Sequence, residues 1–210
     1  MNKKGILIII SGFSGAGKGS VVKKLLSKGD YILSISSTTR APREYEKHGR
    51  EYFFDSRKDF EKMIADNELI EWASYCDNYY GTPRKFVENN LEQGKNVILE
   101  IEMQGALDVK SQYNEAVLIF VTAPKAADLK TRLEKRGTES SDIINKRLKR
   151  SYEETEVLNQ YDYIVVNDDL QECAEDIISI INAEHKRANR SVELKERLKN
   201  EFKELLKGEI

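Results

Sequence analysis

Apolar positions along the chain recur in two alternating forms. Short, mainly apolar runs at residues 6–10, 33–36, 97–101, 117–121 and 163–166 are rich in Ile, Val and Leu and are bounded by glycines or polar turns. Runs of that length and composition read as strands of a covered sheet. Between them, apolar residues return every three or four positions, the helical period. Residues 18–28 read as a helix that Gly29 ends. Residues 105–113 give another, and Ala126, Leu129 and Leu133 mark a third over 125–135. Asp168 and Asp169 open a long helix running from 170 to about 190. Strands alternating with helices predict an α/β fold: a five-stranded parallel sheet flanked by helices.

Two stretches depart from this alternation. From 37 to 82 the chain is turn-rich and aromatic, with Tyr52, Phe53, Phe54, Trp72, Tyr75, Tyr79 and Tyr80. Residues 51–54, 69–75 and 78–81 read as strands of a small antiparallel unit, with Phe53, Phe54 and Trp72 as its core. Ser56 and Asp59 signal a helix start within it, and Thr82-Pro83 reads as an N-cap followed by proline at the first helical position. The helix after Pro83 runs to about Gln93 and stops at Gly94. From about 125 to 159 the chain is helical and heavily charged. The expected organisation is therefore one domain. Its core covers about 4–36, 83–124 and 160–190, with insertions at 37–82 and 125–159. In the tail, 191–210, Leu194, Leu198, Phe202 and Leu205 form an amphipathic stripe. Two readings of it stand: a helix packed on its own domain or lying in solvent, and a homodimer contact.

Composition narrows the function. A third of the 210 residues are charged, yet the net charge is only −2. Acids and bases are mixed, which argues against a nucleic-acid-binding domain. The opening apolar run is too short for a signal peptide or a membrane span. Two cysteines, Cys76 and Cys173, are far apart in sequence and suit a reduced, cytoplasmic protein. With only His48 and His185 present, a histidine triad or a zinc site is not expected.

The first strand leads straight into chemistry. Gly12, Phe13, Ser14, Gly15, Ala16, Gly17 and Lys18 fit G-x-x-x-x-G-K, followed by Gly19 and Ser20 at the start of a helix. A strand, a glycine loop and a helix in that order form a phosphate cradle. Backbone N–H groups curl around the anion, the helix dipole favours negative charge there, and the lysine faces the outer phosphates. The general pattern has Ser or Thr directly after the lysine. Gly19 stands there, so the hydroxyl facing Mg²⁺ is assigned to Ser20.

Arg40 and Arg43 lie in the first insertion, and Arg136 and Arg147 in the second. Phosphoryl transfer needs positive charge around the migrating group more than covalent help, and guanidinium supplies it in a planar, permanently charged form. Glu71 interrupts an apolar strand. Glu100 and Glu102 end a buried strand at two-residue spacing, hence on one face. Carboxylates at the carboxyl ends of parallel strands lie where open α/β sheets bind ligands.

The segments SGFSGAGKGS, SISSTTRAPR, GREYFF, IEWASYCDNYYGT, LEIEMQGA, EKRGTES, INKRL and VVNDDL, in that order, resemble the guanylate kinase family from about Lys4 to Glu184. The resemblance implies transfer of the γ-phosphoryl group of MgATP to GMP, and to dGMP, in purine nucleotide metabolism and GMP recycling. The small-molecule partners are then ATP and GMP, with no nucleic acid or membrane. It implies that residues 37–82 bind GMP and that 125–159 form a lid. By motif, Arg40, Arg43, Tyr52 and Tyr80 would hold the GMP phosphate, and Ser36, Glu71, Thr82 and Glu102 would read guanine. Glu100 would lie near Mg²⁺ with Ser20. Arg132, Arg136 and Arg147 would close over ATP, and Asn167 would lie near adenine. Glu102 stands where many members carry Asp. Guanylate-kinase-like scaffold modules that have lost catalysis, and kinases for AMP, are the competing readings. The intact loop disfavours the first, and the two glutamates disfavour the second.

Overall fold

In a computed structural model the described residues are 4–75, 77–137 and 140–207. In chain order they form β1 (Leu7–Gly12), α1 (Lys18–Leu26), β2 (Tyr31–Leu33), β3 (Ser37–Thr38), β4 (Phe53–Phe54) and α2 (Arg57–Ala65). Then follow β5 (Leu69–Tyr75), β6 (Asn78–Pro83), α3 (Arg84–Glu92), β7 (Asn96–Glu100), α4 (Met103–Gln112) and β8 (Val117–Thr122). The last elements are α5 (Ala126–Arg136), α6 (Ser141–Glu154), β9 (Tyr163–Val166), α7 (Leu170–Glu184) and α8 (Val192–Leu205). Cys76 and Thr138 lie outside the described residues.

The main sheet has the order β2-β7-β1-β8-β9, and every pairing in it is parallel. β1 is central and fully covered: Ile8, Ile9 and Ile10 have no exposed surface. Each of these side chains withdrawn from water contributes about 1.5–3 kcal/mol. The helices cover both faces, as parallel sheets require. The ends of β1 and β7 therefore converge at the carboxyl edge, where the first glycine loop begins.

The second expected strand ends early. β2 stops at Leu33, and Ser34 to Ser36 carry the chain from one sheet to the other. The Ser34 N–H still donates to the Ile98 carbonyl, whereas the Ser36 carbonyl already accepts from Phe53 of the small sheet. That sheet, of order β4-β3-β6-β5, is antiparallel at β3–β6 and β5–β6, but β3 and β4 pair parallel. The loop between them returns the chain in the same direction. Trp72, expected in the core, is 47% exposed on the edge strand β5. Phe60 of α2 fills that core instead, stacked on Tyr79.

Ser56 caps α2 as expected, accepting from the Asp59 N–H and donating to its carboxylate. Thr82 does not cap α3: it belongs to β6, and the helix begins one residue beyond Pro83. The charged segment after α5 forms α6 and then a 3₁₀ turn, Thr155–Gln160. The long last helix is also shorter than expected. Asp169 caps its start through the Gln171 and Glu172 N–H groups, but it ends at Glu184. Cys173 is buried in α7, where burial pushes its thiol up to about 11. Among the described residues no helix is long and apolar enough to cross a membrane.

Candidate active site

The loop from Gly12 to Lys18 is built so that only glycine fits at its turning points. A Cβ at Gly12 would lie 2.1 Å from the Val121 carbonyl oxygen, so β1 and β8 could not pair at their ends. Gly17 has φ +87°, and its Cβ would meet the Asn167 amide nitrogen at 2.6 Å. That amide explains the contact. Asn167 is buried under the loop, and its Nδ2 donates to the Ala16 carbonyl at 2.7 Å. Its own carbonyl accepts from Arg132 at 2.8 Å. From the position expected to lie beside adenine, Asn167 braces the loop from below through its amide donor. Phe13 packs edge-on against Phe120, which ties the same loop to the core.

Lys18 opens α1, and its Nζ donates to the Gly12 carbonyl at 2.6 Å. Burial pulls its pKa down, against the attraction of Glu102, Glu100 and Glu154, while the nearby charge of Arg136 adds to the lowering. The lysine is thus curled over its own loop within an acidic ring. Glu100 ends β7 facing Gly19, whose Cβ would lie 3.6 Å from its carboxylate. Burial raises the Glu100 pKa, and Lys18 opposes the rise. Ser20 is exposed in the first turn of α1.

Among the described residues no group of three or more His, Cys, Asp and Glu side chains is arranged to hold a metal ion. One carboxylate and one hydroxyl at a phosphate loop suit Mg²⁺, which keeps several waters and takes its remaining ligands from phosphates.

Opposite the loop stands the small sheet. Glu71 on β5 accepts from the Thr82 hydroxyl at 2.6 Å. This is why Thr82 belongs to the strand and not to a helix cap: its side chain is used across β5 and β6. Burial raises the Glu71 pKa, with Thr82 opposing and Asp108 adding to the rise. Gly105, in the first turn of α4, leaves room for the carboxylate, since a Cβ there would come 3.1 Å from Glu71 Oε2.

Glu102 corrects another expectation. It does not share a strand face with Glu100, because β7 ends at Glu100 and Glu102 occupies the N-cap position of α4. It is exposed, and Arg150 of α6 donates to it at 3.0 Å.

Arg40 and Arg43 are organised by Glu46. Arg40 donates to Glu46 at 2.9 Å, and the Arg43 N–H donates to the other oxygen at 2.8 Å. Arg40, with the Arg43 N–H, holds the Glu46 carboxyl below the usual range. Tyr52 lies under the Arg40 guanidinium, 5.5 Å from ring centre to Cζ, and meets Tyr80 edge-on. Arg40, Arg43, Glu46, Tyr52 and Tyr80 therefore form one cluster. Ser36 lies at the base of that sheet.

From the second insertion, Arg147 of α6 donates to Ser14 of the loop at 3.2 Å. Arg136 closes α5 and is exposed. Sequence reasoning missed Glu46, Arg150 and Glu154. The last two were legible: Arg147, Arg150 and Glu154 recur at i, i+3 and i+7, one face of α6. Arg150 spans Glu102 and Glu154, each at 3.0 Å. Burial raises the Glu154 pKa, and Arg150 opposes it. Glu46 carried no such signal, since its role depends on how a loop folds back.

The arrangement links the phosphate loop, through Arg147 and Arg150 of α6, to the start of α4, where Gly105 makes room for the half-buried Glu71. A family model described as guanylate kinase matches residues 4–184. A guanylate kinase of Caldanaerobacter subterraneus subsp. tengcongensis is 48% identical over 96% of this chain and 98% of its own. One from Bacillus subtilis is 47% identical over 90% of this chain and 94% of its own. The crystal structure of guanylate kinase from Anaplasma phagocytophilum superposes with a TM-score of 0.76 at 33% identity, over 95% of this chain and 96% of that one.

Proposed function

The chain belongs to the guanylate kinase family and transfers the γ-phosphoryl group of ATP to GMP; from that premise we propose which residues carry the reaction. A GMP phosphate oxygen bonds to the γ-phosphorus as the bond to the bridging oxygen of ADP breaks, giving GDP and ADP. Gly12 to Gly19 cradle the ATP phosphates with their backbone N–H groups. Lys18 exchanges the Gly12 carbonyl for phosphate oxygens, which relieves its burial with a negative partner. Arg132, Arg136 and Arg147 close over the outer phosphates from the lid, and Asn167 keeps the loop in its ligand-ready shape.

In this proposal Arg40, Arg43, Tyr52 and Tyr80 hold the GMP phosphate. The Arg40 guanidinium is already oriented by Glu46 and that of Arg43 by the Tyr45 hydroxyl, and the tyrosine hydroxyls are donors. Ser36, Glu71, Thr82 and Glu102 read the base. Guanine presents a ring N–H beside an amino group, both donors, and ionised carboxylates accept only. Glu102 must then leave Arg150 for the base. Ser20 and Glu100 would hold Mg²⁺, which would supply positive charge against the phosphates. The insertion over 37–82 is the GMP-binding part, and 125–159 the lid. A cytoplasmic setting belongs to the same proposal, because both substrates are nucleotides made and spent inside the cell. So does a homodimer through the tail.

One observation carries the base assignment: a half-buried carboxylate, Glu71 on β5, held by the Thr82 hydroxyl beside the first turn of α4. The test is ADP release with GMP, dGMP, AMP and UMP as acceptors. GMP is expected to be preferred over AMP by orders of magnitude. Comparable rates with AMP would overturn the assignment of Glu71 and Glu102.

A further inference from the structure

β5 is irregular beside Glu71. Leu69 stands opposite Pro83 of β6, whereas Trp72 stands opposite Gly81. From the first pair to the second, β5 advances three residues and β6 only two. One extra residue is therefore inserted in β5, a β-bulge at Ile70 and Glu71. The insertion decides what Glu71 meets. Had the Leu69–Pro83 register continued, Glu71 would oppose Gly81, which has no side chain to offer. With the bulge it comes opposite Thr82, whose hydroxyl donates to its carboxylate at 2.6 Å. Bulges re-aim side chains in this way, and they disrupt the ladder of hydrogen bonds where they sit.

The carbonyls at the disruption are taken up from outside the small sheet. Arg84, the first residue of α3, donates through Nη2 to the Leu69 carbonyl at 2.9 Å. Gln112, the last residue of α4, donates through Nε2 to the Ile70 carbonyl at 2.7 Å. The two side chains are also joined to each other, since Arg84 Nη2 donates to Gln112 Oε1 at 2.9 Å. A carboxamide has one accepting end and one donating end. With Arg84 on its oxygen, the amide of Gln112 is left facing Ile70. Arg84 is fixed in turn by the Asn67 carbonyl at 3.1 Å and by the Tyr113 hydroxyl at 3.0 Å. Leu69 and Ile70 are buried, so carbonyls left unpaired there would be costly. The same α4 that grips β5 at its last residue flanks the Glu71 carboxylate at its first turn, through Gly105.

We propose that Arg84 and Gln112 are positioning residues for guanine recognition, clamping the bulge of β5 so that Glu71 stays opposite Thr82. This rests on the assignment of Glu71 to the base. The clamp acts through the Leu69 and Ile70 carbonyls, on the backbone that leads into Glu71.

Steady-state kinetics of the full-length enzyme with GMP and AMP test the clamp against a merely structural role. Gln112→Ala removes the donor. Gln112→Glu keeps an acceptor for Arg84 but presents only oxygen to the Ile70 carbonyl, so it breaks the tie to β5 alone. Both are expected to raise KM for GMP about three- to tenfold, the worth of one such bond. Both are also expected to narrow the preference for GMP over AMP, with kcat and KM for ATP changed by less than about twofold. Arg84→Lys keeps the charge but loses the planar fork that reaches several acceptors, and is expected to act in the same direction. In a Glu71→Gln background, Gln112→Ala is expected to add less than about twofold to the change in preference, because the carboxylate that it positions is gone. Additive effects would overturn the clamp. So would Gln112 variants with lower melting temperatures and unchanged GMP kinetics. A Glu71→Gln enzyme with normal GMP kinetics would overturn the base assignment itself, and the clamp with it.

Discussion

Lys18 and Glu71 are charges held in the cleft at a cost to the ligand-free protein. Burial lowers the pKa of the first and raises that of the second. Lys18→Ala removes the one charge that lies within the loop, and kcat is expected to fall at least about 100-fold with the fold retained. Near-normal turnover, with circular dichroism unchanged, would remove Lys18 from the site. For Glu71 the sign of the pH dependence follows from its raised pKa. The folded protein binds that proton more tightly than the unfolded chain, so stability falls as pH rises from the ordinary carboxylate range through the raised pKa. Above the raised pKa the whole cost is present. Glu71→Gln is therefore expected to raise the melting temperature at pH 7 while lowering kcat/KM for GMP by about 100-fold or more and narrowing the preference over AMP. In the wild type, kcat/KM for GMP is expected to decline on acidification from a higher pH than an ordinary carboxylate would give. A mutant with a lower melting temperature, or with weakened ATP binding and normal GMP kinetics, would contradict this reading.

The phosphate loop works as an element because a residue far along the chain shapes it. Asn167 follows β9, yet its amide reaches Ala16 across the end of β1. Asn167→Ala leaves the Ala16 carbonyl buried without that donor, at a cost of about 1–3 kcal/mol. The expected result is a lower melting temperature and a KM for ATP raised more than that for GMP. Equal changes in both KM values would assign Asn167 to the fold alone. α6 is the corresponding element on the lid. Its Arg147 touches the loop, and its Arg150 touches the N-cap of α4, so one helix contacts both walls of the cleft.

At the scale of the molecule, the sheet is the fixed part and the two insertions rise from its carboxyl edge. Glu102 is engaged by Arg150 of α6, whereas the proposed mechanism requires it for the base, so that mechanism couples nucleotide entry to the position of α6. A site that must admit two nucleotides and then exclude water closes after they bind. Small-angle scattering with a bisubstrate analogue joining ATP to GMP is expected to show a smaller radius of gyration. An unchanged radius at saturation would count against closure.

Local pattern was enough for much of this protein. The apolar runs specified four of the five strands of the main sheet, because a buried parallel strand needs continuous apolar character; the run over 33–36 meets β2 only at Leu33. The glycine spacing specified the loop, because only glycine tolerates φ near +87° at Gly17 beside Asn167. Ser56 and Asp169 announced their helices, since a cap acts on the next few N–H groups. Tertiary contact decided the rest. Pro83 marked a helix start in sequence, but pairing with β5 and the Thr82–Glu71 bond kept Thr82 in a strand. The two-residue spacing of Glu100 and Glu102 implied one strand face, but the pairing of β7 ends before Glu102, and the N-terminus of α4 turns it toward Arg150. Glu46 acquired its place from a loop that folds back on Arg40, and Asn167 from a strand end that meets a loop about 150 residues away. Periodicity records which side of an element is buried. It carries no record of which distant element does the burying, and that choice placed Glu46, Glu102, Arg150 and Asn167 around the cleft.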